Sequence, residues 1–170
     1  MGLNFAFGWM PFDYQLIFRS HVWLGIVGWL SGLIITYSFK LLPMFYASPR
    51  KAVKEAYVIL GLFQAGVWFN VTAQWMDWEH LEVFSVFLIF VSLSIFVRFV
   101  YEVRLQSRSK LPVGSVTVSY RLIYFVYALF SFWMIGNWFF SPIFDSQPFN
   151  EMIVVFLILG WFSGTIFSYF

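Results

Sequence analysis

Apolar residues run along this chain in five long blocks broken by short polar links. The blocks cover 17–39, 52–74, 81–103, 120–140 and 152–170. A helix of about 20 apolar residues is what crosses the hydrocarbon core of a bilayer. The pattern therefore predicts an all-α integral membrane protein, a bundle of five transmembrane helices in one multi-pass domain over 1–170. The first helix is expected to stop before Pro43, and the fourth is closed by Ser141 and Pro142. The fifth is still apolar at Phe170. Residues 1–11 are too short to span and lack the basic start of a secretory signal. They read as an interfacial segment or as the tail of a preceding helix.

Charge orients the bundle. Lys40, Arg50, Lys51 and Lys54 flank the link after the first block, and Arg104, Arg108, Lys110 and Arg121 the link after the third. The other two links carry Asp77, Glu79 and Glu82, then Asp145 and Glu151. Cytoplasmic loops collect Lys and Arg, so the basic links are expected inside, the chain's N-terminus outside and its C-terminus inside. Arg98 and Glu102 stand four apart near the inner end of the third block, where snorkelling toward the headgroups is favoured over pairing. The Asn70-Val71-Thr72 triplet matches a glycosylation acceptor, but inside a span it reads as chance.

Composition narrows the class. Of 170 residues, 61% are hydrophobic and 11% charged, against roughly 25% charged in soluble domains. A net charge of +2 points to no nucleic-acid partner, and with no cysteine there is neither a disulfide nor a thiolate site. The partners expected are the lipid bilayer and further helices, from a longer chain or from partner subunits. Trp23, Trp75, Trp78 and Trp138 fit an outer aromatic belt. Nothing resembles a nucleophile–base pair, a phosphate loop or a carboxylate dyad, so the chain leans away from being an enzyme.

Candidate chemistry sits in the first block. At about 100° per residue, His21, Gly25, Gly28 and Gly32 fall within a stripe about 60° wide. From His21 to Lys40 the helix rises about 28 Å, which puts His21 near the outer boundary and Lys40 at the inner one. Glycines at this spacing let two helices approach closely. Beside an imidazole they also leave room for a flat macrocycle, with histidine as axial ligand. His80, the second histidine, starts the third block on the same outer side, and reads either as a second site residue or as part of the aromatic belt.

The phrase recurs. Residues 26–37 align without gaps to 158–169 with seven of twelve positions identical, Gly-Trp-x-Ser-Gly among them. The first and fifth helices then form a direct repeat, although Ile153 stands where the first copy has His21. The second copy ends before a counterpart of the 40–45 run (Lys-Leu-Leu-Pro-Met-Phe) is due, as expected of a fragment of a longer protein.

His21, Leu24, Gly25, Gly28 and Trp29, followed by the 40–45 run, resemble a phrase of membrane proteins related to haem–copper oxidase subunit I and the NnrS type. In that pattern the segment reads His-Ala-His-Leu-Gly, then Gly-Trp, and ends near Leu-x-Pro-Met-Phe. The resemblance covers about 25 residues. It implies a bacterial cytoplasmic membrane and haem as cofactor, with His21 as the metal ligand and Gly25, Gly28, Gly32 and His80 around it. Trp23 stands where the pattern has a second histidine. The function implied is to bind or sense haem without reducing oxygen; the alternative is a non-enzymatic membrane subunit or assembly factor whose glycine faces only pack helices.

Overall fold

The computed structural model describes residues 14–49 and 53–107, together with 121, 123–128, 131 and 163. The described residues form helices and turns, and none is in a strand. Three helices follow one another: α1 (Tyr14–Phe45), α2 (Val53–Met76) and α3 (Glu79–Leu105). All three are long and apolar enough to cross a membrane. The chain is thus an all-helical protein of multi-pass membrane character. The fourth and fifth predicted spans and residues 1–11 lie mostly outside the described residues.

Helix α1 is not uniform. Its backbone is α-helical over Tyr14–Val22, widens into a π-helix over Trp23–Leu30, and returns to α over Ser31–Phe45. Two glycines within the wide segment weaken the ordinary helical preference. At its end the Ser31 amide reaches back to the Ile26 carbonyl, which its hydroxyl also meets at 3.2 Å. Wider turns rotate each residue by less than in an α-helix, so the regular stripe drawn through His21 and the three glycines is corrected.

A second correction concerns Pro43, which lies inside α1. A proline forfeits the bond its amide would have donated four residues back. In the final turn that is one bond, and the next survives, from Tyr46 to the Leu42 carbonyl at 3.0 Å. The helix then closes in a Schellman turn. Ala47, at φ 46°, donates to the Met44 carbonyl, and Ser48 donates to the Pro43 carbonyl at 2.9 Å. Helix α2 ends in a related way, with Asp77 at φ 54° and Trp78 donating to the Ala73 carbonyl at 3.1 Å. Trp78 then caps α3 by accepting from the Leu81 and Glu82 amides. Only Asp77 and Trp78 separate the two helices, which must run antiparallel.

Charge suits the ends of α3, with Glu79 and Glu82 in its first turn and Arg104 in its last. Arg98 is paired on its own helix, its Nε 2.9 Å from Glu102 Oε1, which corrects the expectation that snorkelling would win over pairing. Hydroxyls within the spans bond locally: Thr36 and Ser38 on α1 and Ser94 on α3 each donate to the carbonyl four residues back. This satisfies polar groups where no water is available. The core lies toward the end where α1 finishes and α2 begins. Ile35, Leu42, Ile59, Phe63, Phe96, Phe99, Val100 and Val103 are fully buried there. Phe39 fits between Phe96 and Phe99, with ring centroids at 5.7 and 4.9 Å. The Ser107 hydroxyl donates to the Tyr46 carbonyl at 3.0 Å and ties the ends of α1 and α3 together.

Candidate functional site: the glycine seam and the two histidines

The α1–α2 pairing decides what the glycines do. The Trp75 indole donates to Ser20 at 2.9 Å near one end, and the Gln64 amide donates to the Gly28 carbonyl at 3.2 Å further in. A Cβ on Gly28 would stand 3.0 Å from Val67 Cγ1, and one on Gly32 would stand 3.1 Å from Gln64 Nε2. Both glycines are buried under α2. A Cβ on Gly25 would meet nothing within 4 Å, and His21 is exposed. The predicted stripe thus divides into an open half, His21 and Gly25, and a closed half, Gly28 and Gly32. A macrocycle lying along all three glycines does not fit unless α2 moves away.

Trp23 packs against the core. Its indole Nε1 is buried and has no hydrogen-bond partner among the described residues, and the same holds for Gln74 Oε1. The remaining polar groups nearby form a chain. Gln74 donates to Asn70 Oδ1 at 2.7 Å, Asn70 donates to Ser85 Oγ at 3.0 Å, and Ser85 donates to the Glu82 carbonyl. Asn70 is only 2% exposed, which agrees with reading its glycosylation triplet as chance.

His80 lies elsewhere. With Asp77, Trp78, Glu79, Leu81 and Phe84 it lines an open cleft of about 650 Å3 at the α2–α3 turn, and His21 is not part of that lining. Among the described residues no group of three or more His, Asp or Glu is placed to hold a metal ion. Trp75 and Trp78 are exposed at this same end, as an aromatic belt requires, whereas Trp138 lies outside the described residues.

A tighter glycine contact escaped the sequence pattern. A Cβ on Gly66 would stand 2.7 Å from Ile89 Cγ1 and 2.8 Å from the Ser85 carbonyl, so α2 and α3 touch there nearly backbone to backbone. The Asn70–Ser85 bond lies on one side of this crossing, and the Ser92 bond to the Ile59 carbonyl, at 2.8 Å, on the other. Gly66 has no repeated phrase around it; its only sequence signal is a small residue amid apolar bulk, between Gln64 and Asn70.

Comparison with protein-family models, with curated proteins and with solved structures finds no match.

Proposed function

We propose that the chain is a non-enzymatic, multi-pass membrane subunit or assembly factor, built of five spans of which the first and fifth are related. Its glycines act as helix-packing seams. The observation carrying this reading is the seating of α2 on Gly28 and Gly32, with Val67 and Gln64 in contact with the positions a side chain would take. A bundle held this way presents its remaining faces to lipid and to neighbouring helices. The alternation of basic and acidic links supports cytoplasmic basic loops.

A second reading keeps haem, with His21 as ligand and Gly25 beside it. Its support is that both residues are open, together with the resemblance to the haem–copper oxidase subunit I and NnrS phrase. The two readings part in one experiment. Chain purified from haem-replete membranes is expected to be colourless, with His21→Ala unchanged in assembly and Gly28→Leu and Gly32→Leu losing partner or oligomer association. A Soret band removed by His21→Ala would overturn the packing reading in favour of haem.

A further inference from the structure

The outer end of α1 stands one residue out of step with the rest of the helix. In a regular α-helix, the face that carries Gly28 and Gly32 runs out to His21, and Ser20 lies about 100° away from it. The structure has the reverse. Ser20 is 6% exposed and accepts the Trp75 indole N–H at 2.9 Å, so Ser20 is the residue that α2 covers. His21 is exposed. Between the two ends lies the π-helix Trp23–Leu30. Its bonds close five residues back instead of four, so it takes up one residue more than an α-helix over the same rotation. One stored residue is a step of about 100°, which is the displacement at Ser20 and His21.

Two side chains hold the wide turn. The Ser31 amide and hydroxyl both reach the Ile26 carbonyl, five residues back. Gln64 crosses from α2 to the Gly28 carbonyl at 3.2 Å, an acceptor that a regular α-helix gives to the amide four residues on. The wide turn also follows its sequence phrase. Ser163, the counterpart of Ser31 in the second copy, is itself π-helical. That copy has Ile153 in place of His21, so the wide turn goes with Gly-Trp-x-Ser-Gly and not with the histidine.

We infer that this π-helix is a one-residue register switch, which decides whether Ser20 or His21 faces Trp75 of α2. Held wide, it keeps Ser20 under α2 and presents His21 on the open face. Closed to an α-helix, it turns Tyr14–Val22 by one step, and each residue takes the place of the one before it. His21 then arrives where Ser20 was, and a neutral imidazole offers the Trp75 indole an acceptor in place of the hydroxyl. The inner half of α1, with Ile35 and Leu42 fully buried, keeps its place in both registers. Wide helices of this kind are rare, so the bonds made by Ser31 and Gln64 are what keep the turn open. Presentation of His21 is thus conditional on a contact made by α2.

The test uses the full chain in lipid nanodiscs and reads distances between paired nitroxides by double electron–electron resonance. One label is placed at Val83→Cys on α3, the other at Phe18→Cys or Arg19→Cys on α1. All three positions are exposed, and no native cysteine competes. In Gln64→Met/Ser31→Ala a second distance is expected from both α1 sites. A step of 100° carries a side chain about 8 Å around the helix, and the new Arg19→Cys distance should match that of Phe18→Cys in the parent. Deleting Gly25, where there is open space, removes the stored residue. Both distances should then stay at their parent values, also when Gln64→Met is added. Unchanged distances in the double variant overturn the switch. Distances that jump by one step on deletion of Gly25 overturn it too, because the turn would then store no residue. Neither substitution adds bulk, so the double variant should fold, and the deletion decides by itself if it does not.

Discussion

Four of the five glycines in the described helices, Gly25, Gly28, Gly32 and Gly66, sit in three kinds of surrounding, and each surrounding sets what a methyl group would cost. At Gly66 an added Cβ would run into Ile89 and the Ser85 carbonyl, and backbone cannot swing aside. Gly66→Ala is therefore expected to destabilise the bundle by about 1–3 kcal/mol, as overpacking does. At Gly28 and Gly32 the neighbours are side-chain ends, and the cost should be smaller. At Gly25 there is open space, and Ala, the better helix former, should be neutral or slightly stabilising. Reversible unfolding in micelles across Gly25→Ala, Gly28→Ala, Gly32→Ala and Gly66→Ala would check this order. A loss at Gly25 equal to that at Gly66 would mean that backbone flexibility, rather than close approach, is what the glycines provide. From sequence the four could not be ranked, because the distance to the neighbouring helix does not depend on the glycine itself.

Within the elements, the helices were legible and their details were not. The second and third predicted spans, 52–74 and 81–103, fall within a few residues of α2 and α3. Hydropathy over 20 residues is a sum that single residues barely change. The π-helix within α1 and the helical Pro43 escaped because each turns on one or two backbone hydrogen bonds. The Schellman turn at the end of α1 is a similar case, since it uses Ala47 where glycine is the usual occupant. A left-handed conformation costs an L-residue roughly 1–2 kcal/mol. Ala47→Gly is thus expected to stabilise the chain by about 1 kcal/mol, offset in part by the greater freedom glycine has when unfolded. A denaturation midpoint below that of the parent would contradict this account of the turn.

For the whole molecule, the separation of charge is the feature most open to direct measurement. Acidic Asp77, Glu79 and Glu82 lie at the α2–α3 turn, and Lys40, Lys54, Arg98 and Arg104 at the other end. Because the chain has no cysteine, single cysteines can be introduced without a background. In intact cells a membrane-impermeant thiol reagent is expected to label Glu79→Cys and to label Lys54→Cys only after the membrane is opened. The reverse pattern would invert the topology. Packing at this scale is carried by shape and by a few polar contacts, among them Gln64 on Gly28, Asn70 on Ser85 and Ser92 on Ile59. Lipid tails are as apolar as leucine, so burial alone cannot select these pairings.

Taken by itself, the sequence determined that the chain is helical, that its apolar blocks are long enough to cross a membrane, and that opposite ends carry opposite charge. These are properties of local composition. Tertiary structure alone decided that the glycine stripe divides, with Gly28 and Gly32 under α2 while Gly25 and His21 stay open, and that Gly66 makes the tightest contact among the described glycines. It also decided that Arg104 and Arg121, 17 residues apart in the chain, share one cleft. The reason is physical. In a bilayer every apolar face is equally comfortable against lipid, so a helix's inward face is chosen by its partner, through steric fit and hydrogen bonds between distant residues.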